Sequence, residues 1–289
     1  MSDNFLYDYS PITERPKVEW PEGKRVAFYC GLNIEHFRMG MPATSASPLT
    51  AGMSPDPMNH GWRDYGTRVG IWRMMELFDE VGLRASAITN SEVIEEYPQI
   101  IEAGIERDWA WLAHGKTNST LHTGFSEEDE TVFLDELFAM WHKVGLQPQG
   151  WLGPALTETY STPKLLAERG VRYLLDWNAD DRPFPLKVGG LIEVPYSMDV
   201  NDISVFVGHP TAPSVYEEMA MAQLEIMLEE GGGVFALPVH PFVVGQPFRF
   251  KHFRNIIRAI TSHPDVWVTT SEDIADHFLS TPAAPTATA

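Results

Sequence analysis

The chain has 289 residues, 44% of them apolar, and its 40 acidic against 21 basic side chains give a formal net charge of -19. That apolar share suits a folded protein with a sizeable core. An acidic excess this large excludes the concentrated basic face that nucleic acid or an anionic membrane surface requires, and it reads as a solvated surface.

In chain order, residues 1–22 are aromatic and proline-rich without a sustained period, and are expected to form an extended arm against the body or a neighbouring subunit. The opening MSDNFLYDYSPITERP has neither a basic start nor a long apolar run, so no signal peptide is expected. No stretch approaches the roughly 18 to 20 apolar residues that span a bilayer, which makes the cytoplasm the default compartment. Residues 23–280 are expected to form one domain. Short β-rich runs at 25–32, 84–88, 109–113, 149–152, 173–175, 191–194, 233–237 and 266–268 alternate there with helical patterns. The helices are expected near 65–81, 92–106, 127–144, 163–169, 214–230, 252–262 and 272–279. Ser126 before an acidic turn, and Ser214 with Glu217 as a capping box, mark two of the helix starts. The tail 281–289 is low in complexity and expected to be disordered.

Alternation of this kind implies a mainly parallel sheet. Seven or eight units fit a closed or nearly closed α/β barrel, and no glycine-rich phosphate loop follows the first strand. The loop 38–59 is long enough to act as a lid. The lone Cys30 lies in an apolar strand run, so it excludes a disulfide framework and is expected to be buried.

Polar clusters follow several strands, where an α/β protein gathers its site. Asn33-Ile-Glu35-His36 follows the first; Glu35 there suits a general base, a metal ligand or an anchor for a substrate amide, or else a surface pair. His114 and Asn118 stand four apart after 109–113, a spacing that on a helix puts both on one face, with His122 four further on as a compensating ligand. Asp176 and Trp177, with Asp180 and Asp181, follow 173–175. His240 ends the run 233–237 before a Pro/Gly turn; with a pKa of about 6.5 an imidazole can protonate a leaving nitrogen. The segment GWRDYGTRVGIWR at 61–73 brings Trp62, Arg63, Tyr65 and Arg68, whose guanidinium groups suit a carbonyl or carboxylate clamp; Trp72, Met75 and Phe78 read equally as a buried helix stripe. No Gly-x-Ser-x-Gly elbow occurs, which disfavours a nucleophilic serine.

The order of WRDYGTRVGIWR, HGKTNS, DWNADDRPF, VPYSMDVND and HPFVVGQPFR resembles the polysaccharide deacetylase superfamily over residues 20–280, and most of all its allantoinase-like and cyclic imide hydrolase branch. The resemblance implies a distorted (β/α)7 barrel that hydrolyses C–N bonds of amides, working as a homo-oligomer. It also implies an Asp-Asp motif after the first strand, a His-x-x-x-His pair of metal ligands and a late histidine acting as general acid, which His240 matches. The chain departs from this at Asn33 and at Asn118. The cofactor expectation is therefore none, or one weakly held divalent metal such as zinc on Glu35 and His114.

On this reading a small cyclic amide, ureide or imide is opened by water. Glu35 serves as base or orienting group, His114 and Asn118 polarise the carbonyl, and His240 protonates the nitrogen. Trp62, Trp177 and Phe242 wall the pocket, and Asp176 holds the substrate or orients a histidine. The competing readings are a metal-dependent deacetylase of an N-acetylated sugar and a ligand-binding member without activity.

Overall fold

The computed structural model describes residues 4–281, so residues 1–3 of the expected arm and 282–289 of the expected tail lie outside it. Its strands are β1 (Val26–Ile34), β2 (Ser86–Thr89), β3 (Ala110–Ala113), β4 (Gly150–Trp151), β5 (Tyr173–Leu174), β6 (Phe184–Pro185), β7 (Ile192–Glu193), β8 (Gly233–Val239) and β9 (Val266–Val268). The helices are α1 (Pro57–Tyr65), α2 (Ile71–Val81), α3 (Val93–Glu96), α4 (Pro98–Glu106), α5 (Glu127–Lys143), α6 (Thr162–Ala167), α7 (Pro213–Glu230), α8 (Pro247–Thr261) and α9 (Ser271–Leu279).

The strands form one curled sheet in the order β6-β7-β5-β4-β3-β2-β1-β8, and every pairing is parallel except β6 with β7. β1 is the shared stave. Its Val26–Leu32 stretch pairs with β8, while on its other edge Gly31–Ile34 pairs with β2 and Val26–Phe28 with β9. The two ends of the sheet meet at a single backbone bond, Val234 N–H to the Asp181 carbonyl at 2.8 Å. The result is the nearly closed, mostly parallel barrel that the alternation of strands and helices implies.

The period of two along β1 divides the core. Phe28, Cys30, Leu32 and Ile34 face outward into the larger cluster, which packs against the helices. Ala27 and Tyr29 face inward with Ile88, Leu112, Leu152, Tyr173, Leu175, Ile192, Val194 and Ala236. A slip of one residue would drive Asn33 into the helix layer and remove Phe28 and Leu32 from it. Burial of each such apolar side chain is worth about 1.5–3 kcal/mol, so the register is fixed.

Helices form where the apolar period predicts them, with informative shifts. The expected helix 65–81 is two helices, α1 and α2, joined by a π-helical turn at Gly66–Gly70. Its stripe is Ile71, Met74, Met75 and Phe78, whereas Trp72 is 38% exposed. Ser126 caps α5 by accepting the Asp129 N–H. Ser214 does not cap: α7 begins one residue earlier, behind Ala212, and Glu217 instead binds His252 and Asn255. Within the arm, Leu6 and Trp20 are buried, and the Tyr7 ring packs edge-on against Trp177 and Phe184. No helix among the described residues is long and apolar enough to cross a membrane.

Candidate active site

Strand parity delivers the site. Continuing the inward set of β1 beyond Tyr29 and Asn33 brings Glu35 to the barrel mouth; the inward Leu112 of β3 leads to His114, and the inward Ala236 of β8 leads to His240. The three side chains converge on one atom. Glu35 Oε1 lies 3.5 Å from His114 Nε2 and 3.5 Å from His240 Nε2, and it accepts a hydrogen bond from Asn118 Nδ2. Glu35 Oε2 is buried with no partner.

His240 is held from behind. Its Nδ1 lies 2.6 Å from Asp202 Oδ1, and its backbone N–H donates to Asp202 Oδ2 at 2.8 Å. Burial alone would lower its pKa, but the Asp202 and Glu35 carboxylates outweigh that and raise it to about 10. The same pairing works in reverse on Glu35: burial pushes it up, and the His240 charge, the largest opposing cause, helps overrule this and lower it to about 2. At neutral pH the pair is therefore an imidazolium facing a carboxylate.

The loop carrying His240 is set by a close approach of backbone. A Cβ on Gly70, in the π-helical turn, would lie 2.1 Å from the Pro241 carbonyl, so only glycine lets α1–α2 pack on this loop. Phe242 then packs edge-on against Trp62, Phe37 and the His240 ring, at centroid distances of 4.9, 5.9 and 5.5 Å. A narrow pocket of about 10 Å³, roughly room for one water, adjoins Glu35 and is lined by Phe37, His60, Arg63, Asp64, Thr67 and Tyr97. Arg63 stacks over Phe37 at 5.0 Å and donates to the Thr44 carbonyl at 2.6 Å, tying the lid-like loop to the pocket wall.

His114 and Asn118 do meet at Glu35, but not on a helix. The segment turns at Gly115, and Asn118 returns to the site through that turn, with its own N–H bonded to the His36 carbonyl. Its amide orientation is fixed from outside. Asn90 Oδ1 accepts the His36 N–H at 2.8 Å, so Asn90 Nδ2 is the group facing Asn118 Oδ1, at 2.9 Å. The Asn118 oxygen is thus engaged and its nitrogen faces the carboxylate.

That orientation decides the fit to a metal. A cation at Glu35 needs electron pairs, and Asn118 presents N–H. Glu35 and His114 alone leave at most a weak site, and no group of three His, Cys, Asp or Glu side chains assembles around a metal position among the described residues. None of the nearby histidines replaces the missing ligand. His36 Nδ1 is bonded to Glu92 at 2.8 Å, and His60 pairs with Asp64 at 3.7 Å. His122, expected as a compensating ligand, faces Glu130 at 3.6 Å amid Phe125, Phe133 and Trp151, where burial lowers its pKa. Asn33 is structural, donating to the Val239 carbonyl and the Tyr196 hydroxyl beneath the site.

Four expected substrate contacts lie elsewhere. Trp177 packs against Phe5 and Tyr7 of the arm and donates its indole N–H to Glu158, because the loop after β5 turns toward the arm. Asp176 accepts the Gly153 N–H at 2.8 Å rather than pointing at the mouth. Tyr65 accepts from Arg73, and Arg68 is exposed on the π-helical turn. A cavity of about 660 Å³ beneath the arm, beside Tyr7, Arg15, Phe184 and Phe278, contains none of the converging residues. Two partners escaped the sequence reading, Asp202 and Asn90. Asn90 had a signal, since it follows β2 in phase with the inward Ile88; Asp202 opens a short helical segment that runs into a π-helical turn at Ser204–Gly208, too short to show a period.

No protein-family model matches the chain. It is similar to a peptidoglycan deacetylase of Helicobacter pylori, with 24% identity over 262 residues, 78% of this chain and 88% of that one. It is also similar to a solved structure from Mycobacterium smegmatis that carries the polysaccharide deacetylase name, with 27% identity, a TM-score of 0.78 and coverage of 95% and 98%. A solved allantoinase superposes with a TM-score of 0.85 at 21% identity, covering 96% of this chain and all of that one, a likeness of fold.

Proposed function

We propose that the chain is a C–N hydrolase of the polysaccharide deacetylase superfamily and that it hydrolyses a small non-peptide amide, detaching an acyl group from nitrogen; the deacetylase names of its relatives support this reading. The observation that carries the reading is His240, clamped between Asp202 and Glu35 beside two unpartnered atoms, Glu35 Oε2 and His114 Nε2.

The proton roles follow from hydrogen bonding. His114 Nδ1 faces the Leu152 carbonyl at 2.6 Å, and a carbonyl only accepts, so Nδ1 carries the proton and the neutral ring has its lone pair on Nε2. A water donating one hydrogen to His114 Nε2 and the other to Glu35 satisfies both acceptors. As that water adds to the amide carbon, its proton passes to the free lone pair of His114 Nε2. Glu35 orients the water and holds His240. The C–N bond then breaks as His240 gives its proton to the nitrogen, leaving a carboxylic acid and an amine. Glu35 thus has the orienting one of its two expected roles, and His114 takes the base role in place of polarising the carbonyl. No step needs a metal.

A second reading, opening of a cyclic amide, is favoured by the aromatic wall of Trp62, Phe37 and Phe242, which suits a flat ring better than a long glycan. The relatives' names support acyl removal over it. The test is a product assay on N-acetylated oligosaccharides, allantoin and succinimide with the wild type and Glu35→Gln. Hydrolysis of one class, lost in the variant, is expected. Full activity in Glu35→Gln, or no turnover of any amide, refutes the proposal.

A further inference from the structure

Resting on the assignment of His114 to the reacting water, we infer that Asp176 is a positioning residue that acts on His114 through the Leu152–Gly153 peptide group. The two bonds are consecutive. His114 Nδ1–H donates to the Leu152 carbonyl at 2.6 Å, and the Gly153 N–H of the same planar unit donates to Asp176 Oδ1 at 2.8 Å. Fixing that N–H fixes the plane of the peptide, and so the direction of the carbonyl that selects the His114 tautomer. An acceptor on the N–H also polarises the carbonyl and strengthens its hold on the histidine proton. His114, Leu152 and Asp176 are 2%, 1% and 9% exposed, so water competes little for either bond.

The peptide is held in a tight turn, since a Cβ on Gly153 would lie 2.2 Å from the Thr157 carbonyl. Asp176 is itself placed by a buried group. Trp177 donates its backbone N–H to Glu193 and its indole N–H to Glu158, both at 2.9 Å, and these two carboxyls flank Asp176. Burial first, then the Glu158 and Glu193 charges, push the Asp176 carboxyl well up. Asp176 accepts from Gly153 on Oδ1, and its Oδ2 is buried without a partner. Asn keeps the accepting oxygen and the size of the side chain.

The test joins nitrogen-15 NMR of the histidines to steady-state kinetics of the wild type, Asp176→Asn and Asp176→Ala. In the wild type, His114 is expected as the Nδ1–H tautomer, with a proton signal protected from exchange; an Nε2–H tautomer there overturns the proposal without any variant. Asp176→Ala is expected to lose that signal and about ten- to a hundred-fold in kcat, with KM nearly unchanged. Asp176→Asn is expected to retain both. An alanine variant with an unaltered His114 signal, or an asparagine variant as impaired as alanine, overturns it too. If no amide is turned over at all, the proposed function fails while the tautomer readout still decides the wiring.

Discussion

His240 and Asp202 are joined twice, side chain to side chain at 2.6 Å and backbone N–H to carboxylate at 2.8 Å, although 38 residues separate them. The two hydrogen bonds fix the ring's position, and the charge keeps it protonated. Asp202→Asn keeps much of the geometry and removes the charge. The basic limb of the pH–rate profile, set in the wild type by a group raised to about 10, is expected to move toward the ordinary histidine range of about 6.5. Turnover at neutral pH is expected to fall by about four-fold or more, since a group at about 6.5 is only about one-quarter protonated at pH 7. An unmoved limb contradicts His240 as the proton donor.

Stability carries the same pair in its pH dependence. His240 is raised in the folded state, so its contribution is complete below about pH 6.5 and is lost as pH rises toward about 10. Glu35 is lowered, so its contribution is complete above about pH 4.5 and is lost as pH falls toward about 2. Both are complete between about pH 4.5 and 6.5. Urea midpoints are expected to decline from pH 6.5 to 9.5 in the wild type and to decline less in His240→Gln.

Gly70→Ala places a methyl group 2.1 Å from the Pro241 carbonyl, which must yield. Overpacking of this kind costs about 1–3 kcal/mol, read as a lower urea midpoint. Because Pro241 follows His240, activity is expected to drop further than stability explains, with the loss in kcat.

Arg63 joins the loop 38–56 to the pocket through Thr44 and stacks on Phe37. Arg63→Ala removes one hydrogen bond and one cation–π contact, each worth about 0.5–1.5 kcal/mol. The expected outcome is faster proteolytic cleavage within 38–56 and a raised KM. Unchanged cleavage and KM would leave the loop without a closing role.

The barrel was legible because its strands are apolar runs with polar clusters at one end, and Glu35, His114 and His240 were legible because each lies just past such a run. Strand parity says which side chains point inward, and the sequence carries that period. What it does not carry is which loop crosses to which strand. Asp202 reaches His240 from the start of a short helical segment, Trp177 swings toward the arm, and His122 is enclosed by rings from three segments. The helical spacing of His114 and Asn118 gave the correct meeting point for the wrong reason, since a turn makes it. The short strand β6 has only two residues and no period to read.

The most direct test is amide hydrolysis by protein stripped of metal with a chelator, assayed before and after zinc is restored. The donor set predicts that turnover survives stripping and that zinc does not raise it, because Asn118 offers N–H where a ligand would need a lone pair. Activity abolished by stripping and recovered with zinc would contradict the metal-free roles given to Glu35, His114 and His240.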